Sequence, residues 1–133
     1  MKKILVPTID WPVSSDAAYR IAEIADAIQA NLIVLFIAQK VDGNSYRRGN
    51  LSIEIIEEAT QDYNFEIDGF VVTGDPAELI SRMATKFEVD LILLGATEEN
   101  DWNSWRSKIG TIGNCSIQLL DSFTHNLDPD LSR

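Results

Sequence analysis

Four short apolar runs, each followed by a polar break and then a stretch of helical period, set the rhythm of this 133-residue chain. Ile4-Leu5-Val6-Pro7 follows a charged start and is apolar without alternation, the pattern of a strand covered on both faces. Asp10-Trp11-Pro12 breaks it, and Ser14 or Ser15 stands where it can cap a helix with Ala18, Ile21, Ala22, Ala25 and Ile28 on one side. Leu32-Ile33-Val34-Leu35-Phe36-Ile37 is a second buried strand, and the helix before it is long enough for a right-handed crossover between parallel strands. Phe65 to Thr73, less regular around Gly69, predicts a third strand, and Val89-Asp90-Leu91-Ile92-Leu93-Leu94-Gly95 a fourth.

The connections are less uniform. Gln39 to Asn50 is polar, holds Gly43, Gly49 and the pair Arg47-Arg48, and reads as a mobile loop. A short helix is expected after it, with Leu51, Ile55, Ala59 and Tyr63 inward and Glu54, Glu57, Glu58 and Asp62 outward. Gly74-Asp75-Pro76-Ala77-Glu78 is the clearest local signal: Asp75 as N-cap, Pro76 at the first helical position, and Glu78 completing a capping-box-like pair. That helix buries Leu79, Ile80, Met83, Ala84 and Phe87. After a polar loop to Ile109, Gly110-Thr111 is expected to open a last helix carrying Ile112, Cys115, Leu119 and Phe123 on one face.

Strands alternating with helices give an α/β fold: a three-layer, doubly wound, Rossmann-like parallel sheet. The expected organisation is one domain over residues 1–123 and a polar tail over 124–133. With only four strands, the fourth becomes an edge, to be covered by the tail, the tryptophan-bearing loop or a second subunit. Ligands of such sheets sit beyond the carboxyl ends of the strands where the strand order reverses, which points to Thr8 through Asp10, Phe36 through Ala38, and Gly95 onward.

Charge narrows the partners. Twenty-one acidic against 11 basic side chains leave a formal charge of -10, which opposes nucleic acid as a partner, since phosphate backbones are held by Lys and Arg. No apolar run approaches the roughly 18 residues of a membrane span, and Ile4-Leu5-Val6 before Pro7 is too short for an export signal. A single cysteine, Cys115, rules out an intrachain disulfide and a cysteine-cluster metal site, and fits a cytoplasmic protein.

Candidate chemistry is sparse. His125 has no nearby Ser or Cys nucleophile, Asp16 beside Asp10 reads as a helix-dipole partner, and Cys115 as a small buried hydrophobe. No catalytic residue and no metal site is assigned. Arg47-Arg48 reads as a solvated pair rather than an anion receptor. Trp11, Trp102 and Trp105 either wall a ring-shaped ligand or pack the end of the sheet.

Three pieces of the chain, in this order, resemble the universal stress protein family from Met1 to about Leu120: Lys2-Lys3-Ile4-Leu5-Val6-Pro7-Thr8, Val72-Thr73-Gly74-Asp75-Pro76-Ala77-Glu78-Leu79-Ile80, and Val89 to Gly95 followed by a loop ending in Gly110-Thr111. The resemblance implies strand order 3-2-1-4, and a fifth strand that commonly pairs subunits edge to edge; here that strand is expected to be missing. Part of the family binds ATP through an aspartate after the first strand, a backbone contact at the end of the second, and a loop G-x2-G-x9-G-[S/T] after the fourth. Glycines there let backbone N–H groups approach the phosphates, with a helix N-terminus beyond.

The carry-over gives a nucleotide site of Thr8, Ile9, Asp10, Ile37, Gly95, Ala96, Gly110 and Thr111. It departs from the pattern. Asp10 comes one place late, Glu98 stands where the second glycine belongs, Gly110 arrives two residues late, and Glu98, Glu99 and Asp101, offset only in part by Arg106 and Lys108, would repel a triphosphate. The expected function is therefore a non-enzymatic regulatory domain with a degenerate nucleotide site, acting as a homodimer or through a protein partner. One alternative is a universal stress protein that binds an adenine nucleotide, ATP or AMP with Mg²⁺, with slow hydrolysis. Another is a different small-molecule sensor using the tryptophans.

Overall fold

The structure is a computed structural model and describes residues 2–40, 42–96, 109 and 115–121. Strand β1 (Lys2–Ile9) is sealed on both faces from Ile4 to Thr8, as its unbroken apolar run requires. Helix α1 (Ser15–Ile28) starts where the Ser14 hydroxyl accepts the Ala17 N–H at 3.1 Å, and ends at Gln29, whose left-handed backbone returns its N–H to the carbonyls of Ala25 and Asp26. Strand β2 (Ala30–Ala38) is the most deeply buried, with Leu32 through Ala38 at most 3% exposed. Helix α2 (Gly43–Thr60), strand β3 (Ile67–Thr73), helix α3 (Pro76–Lys86), strand β4 (Leu91–Ala96) and strand β5 (Ser116–Asp121) follow.

All ladders are parallel, in the order β3-β2-β1-β4-β5. Successive side chains on a strand face opposite ways, so each strand feeds two cores. Ile4, Val6, Leu32, Val34 and Leu93 meet α1 and α2 on one face. Leu5, Ile33, Leu35, Ile37, Ile92 and Leu94 meet Ala77, Ile80 and Ala84 of α3, and Ile109, on the other. That is the three-layer doubly wound arrangement, and the expected 3-2-1-4 order is extended by one strand.

Three expectations are corrected. Residues 43–50 are helical, not loop: the Asp42 carboxylate accepts the Ser45 N–H at 2.7 Å and caps α2 eight residues before the expected start. Of the two glycines that suggested a loop, Gly49 has another reason, since a Cβ there would lie 2.7 Å from a methyl of Val71, and the helix rests on the sheet at that point. The inward face of α2 is accordingly Ser45, Gly49, Ser52, Ile56, Ala59 and Thr60, while Leu51 is exposed.

The third correction concerns the end of the sheet. Residues 116–121 are a strand rather than part of a helix, so the fifth strand is present, and it covers the outer edge of β4 from Leu91↔Ser116 to Ala96↔Asp121. The 3–4 spacing of Ile112, Cys115, Leu119 and Phe123 mimicked a helix, but the period of two governs 115–120. Cys115 and Ile117 join the α3-side core, and Leu120 the α1-side core. Residues 110–114 and 122–133, and with them the expected tail, lie outside the described residues.

Candidate functional site

The reversal of strand order falls between β1 and β4. β1 pairs with β2 along its whole length, Lys2↔Ala30 to Ile9↔Ile37, but with β4 only at Ile4↔Leu91 and Leu5↔Ile92. The seam is tied at its amino end and untied toward the carboxyl end, where a crevice is expected in a sheet of this kind. Thr8, Ile9 and Asp10 stand at the end of β1, Ile37 near the end of β2, and Gly95 and Ala96 at the end of β4. Six of the eight carried-over site residues are thus at the carboxyl end of three adjacent strands. Gly110 and Thr111 lie outside the described residues, as do Glu98, Glu99, Asp101, Trp102, Trp105, Arg106 and Lys108.

Local chemistry at these residues differs from an open nucleotide site. Asp10 has φ 61°, which aspartate tolerates better than most residues, and it makes a tight turn in which the Trp11 N–H reaches the Ile9 carbonyl at 2.7 Å. The Asp10 N–H donates to the Ile37 carbonyl at 2.9 Å, which extends the β1–β2 ladder by one bond and takes one of that carbonyl's two lone pairs. The Asp10 carboxylate accepts from the Gln39 N–H and from Gln39 Nε2, both at 2.8 Å. These bonds offset the cost of a left-handed non-glycine residue, about 1–3 kcal/mol. Ile9 is half-buried in the α3-side core. Thr8 is 2% exposed, and its hydroxyl has no hydrogen-bond partner among the described residues.

Beside this turn lies a hollow of about 330 Å³ bounded by Asp10, Trp11, Gln39, Lys40, Asp42, Ser45 and Arg48. Arg48 Nε donates to the Asp10 carbonyl at 2.6 Å and Nη2 to Ser45 Oγ at 3.2 Å, and the guanidinium lies 5.2 Å from the centroid of the Trp11 ring. Asp42 is held below the usual carboxylate range, first by the Ser45 N–H, then by the Ser45 hydroxyl, and more weakly by the Arg48 charge. Burial, then the nearby Asp90 charge, pushes the Cys115 thiol up, away from the reactive thiolate. A second hollow, about 320 Å³ between Asp26, Gln29, Asn31, Asp62, Tyr63, Asn64 and Phe65, involves the residues leading into β2 and β3, away from the crevice.

Gln39, Lys40, Asp42 and Ser45 were not among the expected site residues. The signal that would have found them is Asp42-Gly43-Asn44-Ser45, an N-cap followed three residues on by a hydroxyl.

Fold and crevice together define a small doubly wound α/β domain of the kind that holds a ligand at a strand-order switch point. The chain belongs to the universal stress protein family, whose model matches residues 1–122. Among curated protein sequences no relative matches significantly. Several solved structures are similar. A universal stress protein in complex with cAMP has a TM-score of 0.68 at 17% identity, over 91% of this chain and 97% of that one. The universal stress protein from Archaeoglobus fulgidus in complex with dAMP has a TM-score of 0.68 at 12% identity, over 90% and 97%. A family protein from Arabidopsis thaliana with AMP bound has 0.63 at 12%, over 91% and 92%. At these identities the likeness is one of fold. No described helix is long and apolar enough to cross a membrane.

Proposed function

We propose that this universal stress protein is a non-enzymatic regulatory domain in which the family's nucleotide site has been remodelled, so that ATP is no longer its ligand. The observation that carries this reading is the Asp10 turn: its N–H donates to the Ile37 carbonyl and each of its carboxylate oxygens accepts from Gln39, so a nucleotide would have to share or displace these bonds. Glu98, Glu99 and Asp101 add like charge in the segment that follows β4, at about 1 kcal/mol per close pair even at high effective dielectric. Output then passes through self-association or a protein partner, and β5 supplies the last strand that such pairing of subunits would use.

A second reading keeps an adenine nucleotide with fewer phosphates at the crevice. It is favoured by the similar structures solved with cAMP, dAMP and AMP. Tryptophan fluorescence during titration with ATP and with AMP, each with and without Mg²⁺, separates the two, because Trp11 follows Asp10 at the end of β1 and borders the hollow beside that turn. No change up to millimolar ATP is expected. A saturable response at micromolar ATP refutes the first reading, and a response to AMP alone supports the second.

A further inference from the structure

We infer that the outward face of α2 is a self-association surface, on which a second copy of this chain lies antiparallel with Arg47 of each copy opposite Glu58 of the other. This surface is separate from the β5 edge of the regulatory reading, and it stands or falls independently of it. Arg47, Leu51, Glu54 and Glu58 share the face of α2 turned away from Ser45, Gly49, Ser52 and Ile56, and all four are exposed. Their spacing of four, three and four residues reads the same from either end. A two-fold axis across the middle of that stripe therefore sets Arg47 against Glu58, and Leu51 beside the methylene stem of Glu54.

Charge identifies the occupant. α1 and α3 follow the helix dipole, with Asp16 and Glu78 in their first turns and Lys86 in the last turn of α3. α2 inverts it. Apart from its cap Asp42, its first half carries Arg47 and Arg48 and no acid, while Glu54, Glu57 and Glu58 crowd its second half and no base stands in the last turn. Glu54 and Glu58 also repel each other one turn apart. None of Arg47, Glu54 and Glu58 has an ion pair or a side-chain hydrogen bond among the described residues. Laid antiparallel on its own copy, each basic half meets an acidic half and each end of the dipole meets its opposite. Leu51, 46% exposed, is the apolar member of the stripe and stands beside the axis, where pairing takes it out of water. With a formal charge of -10 most of the surface repels a second copy, and a face holding both signs is where two copies can approach. Arg47 to Glu58 spans about 18 Å of helix, a small contact, so the pair is of the weak, exchanging kind.

Sedimentation equilibrium of the full-length protein, from micromolar to millimolar concentration, tests this. The weight-average mass is expected to double across that range, and the association to weaken in high salt, which screens exposed pairs. Arg47→Glu and Glu58→Arg are each expected to weaken association at least about tenfold, because like charges then face each other at both ends of the stripe. Each also brings α2 into line with its dipole, so melts of dilute protein are expected to show an unchanged or raised Tm, which separates lost pairing from lost folding. The double variant Arg47→Glu/Glu58→Arg exchanges the signs and is expected to associate within about threefold of the wild type. An equimolar mixture of the two single variants is expected to associate likewise. A wild type that keeps one mass throughout overturns the inference, and so does a double variant that fails to restore association. An association that both single variants leave unchanged also overturns it, assigns pairing to another surface such as β5, and leaves the regulatory reading standing.

Discussion

Gly49→Ala sets two magnitudes of opposite sign against each other. In the interior of α2 the added methyl favours the helix by about 1 kcal/mol, because glycine loses more backbone freedom than alanine. The same methyl would lie 2.7 and 2.9 Å from the two Cγ atoms of Val71 and 3.0 Å from Phe36 Cδ2. A β-branched side chain on a strand cannot turn one methyl away without bringing the other in, and Phe36 is fully buried. Overpacking of this kind costs roughly 1–3 kcal/mol, so the net is expected to be a loss of about 1 kcal/mol. For a domain of this size that is a fall in Tm of about 4 °C, read by thermal or urea unfolding with circular dichroism. Gly43→Ala is the control, since a Cβ there meets nothing within 4 Å, and it is expected to be neutral or stabilising by a few tenths of a kcal/mol. If Gly49→Ala proves as stable as the wild type, the close seating of α2 on β2 and β3 is wrong.

Asp75→Ala removes the carboxylate that accepts the Glu78 N–H at 3.0 Å at the start of α3, and should cost about 1 kcal/mol in urea unfolding. By contrast Glu78→Gln breaks only the exposed pair with Arg82 and should shift stability by less than about 0.5 kcal/mol. The folded state holds Asp42 below its usual range, so its contribution is present at neutral pH and is lost as pH falls through the acid range. The stability gap between wild type and Asp42→Ala should therefore shrink from pH 6 to pH 3 in parallel unfolding curves. Cys115 has its thiol pushed up, so iodoacetamide at pH 8 should label it more slowly in the native protein than in urea; equal rates would contradict its burial.

The sequence made strands and helix starts visible wherever one pattern dominated. The unbroken apolar runs at Ile4 and Leu32 fall inside β1 and β2, and the Asp75-Pro76 cap marks the start of α3, because burial on both faces and capping leave few alternatives. Glycine misled where its reason was tertiary. Gly49 is small because Val71 lies over it, and nothing local distinguishes that from loop punctuation. At β5 the period was ambiguous over a few residues, and pairing with β4 decided it. The carboxyl-end position of Thr8, Ile9, Asp10, Ile37, Gly95 and Ala96 followed from strand order. The engagement of Asp10 with Gln39 and Arg48 did not, because it depends on how far α2 extends toward the β1–α1 turn.

The short ladder between β1 and β4 has a mechanical meaning. Backbone pairing joins two plates of the sheet, β3-β2-β1 and β4-β5, at one corner, where Asp90 donates its N–H to the Lys3 carbonyl at 2.9 Å, accepts the Lys3 N–H on its carboxylate at 2.9 Å, and accepts the Ser116 N–H on its carbonyl at 3.1 Å, while the two cores pack across the rest of the seam. Toward the carboxyl end the plates are joined by side-chain packing rather than by a backbone ladder. A molecule lodged across that end acts as a second rivet, and it raises the work of parting by RT ln(1 + [L]/Kd). Occupancy of the crevice would then add to the stability of both plates together.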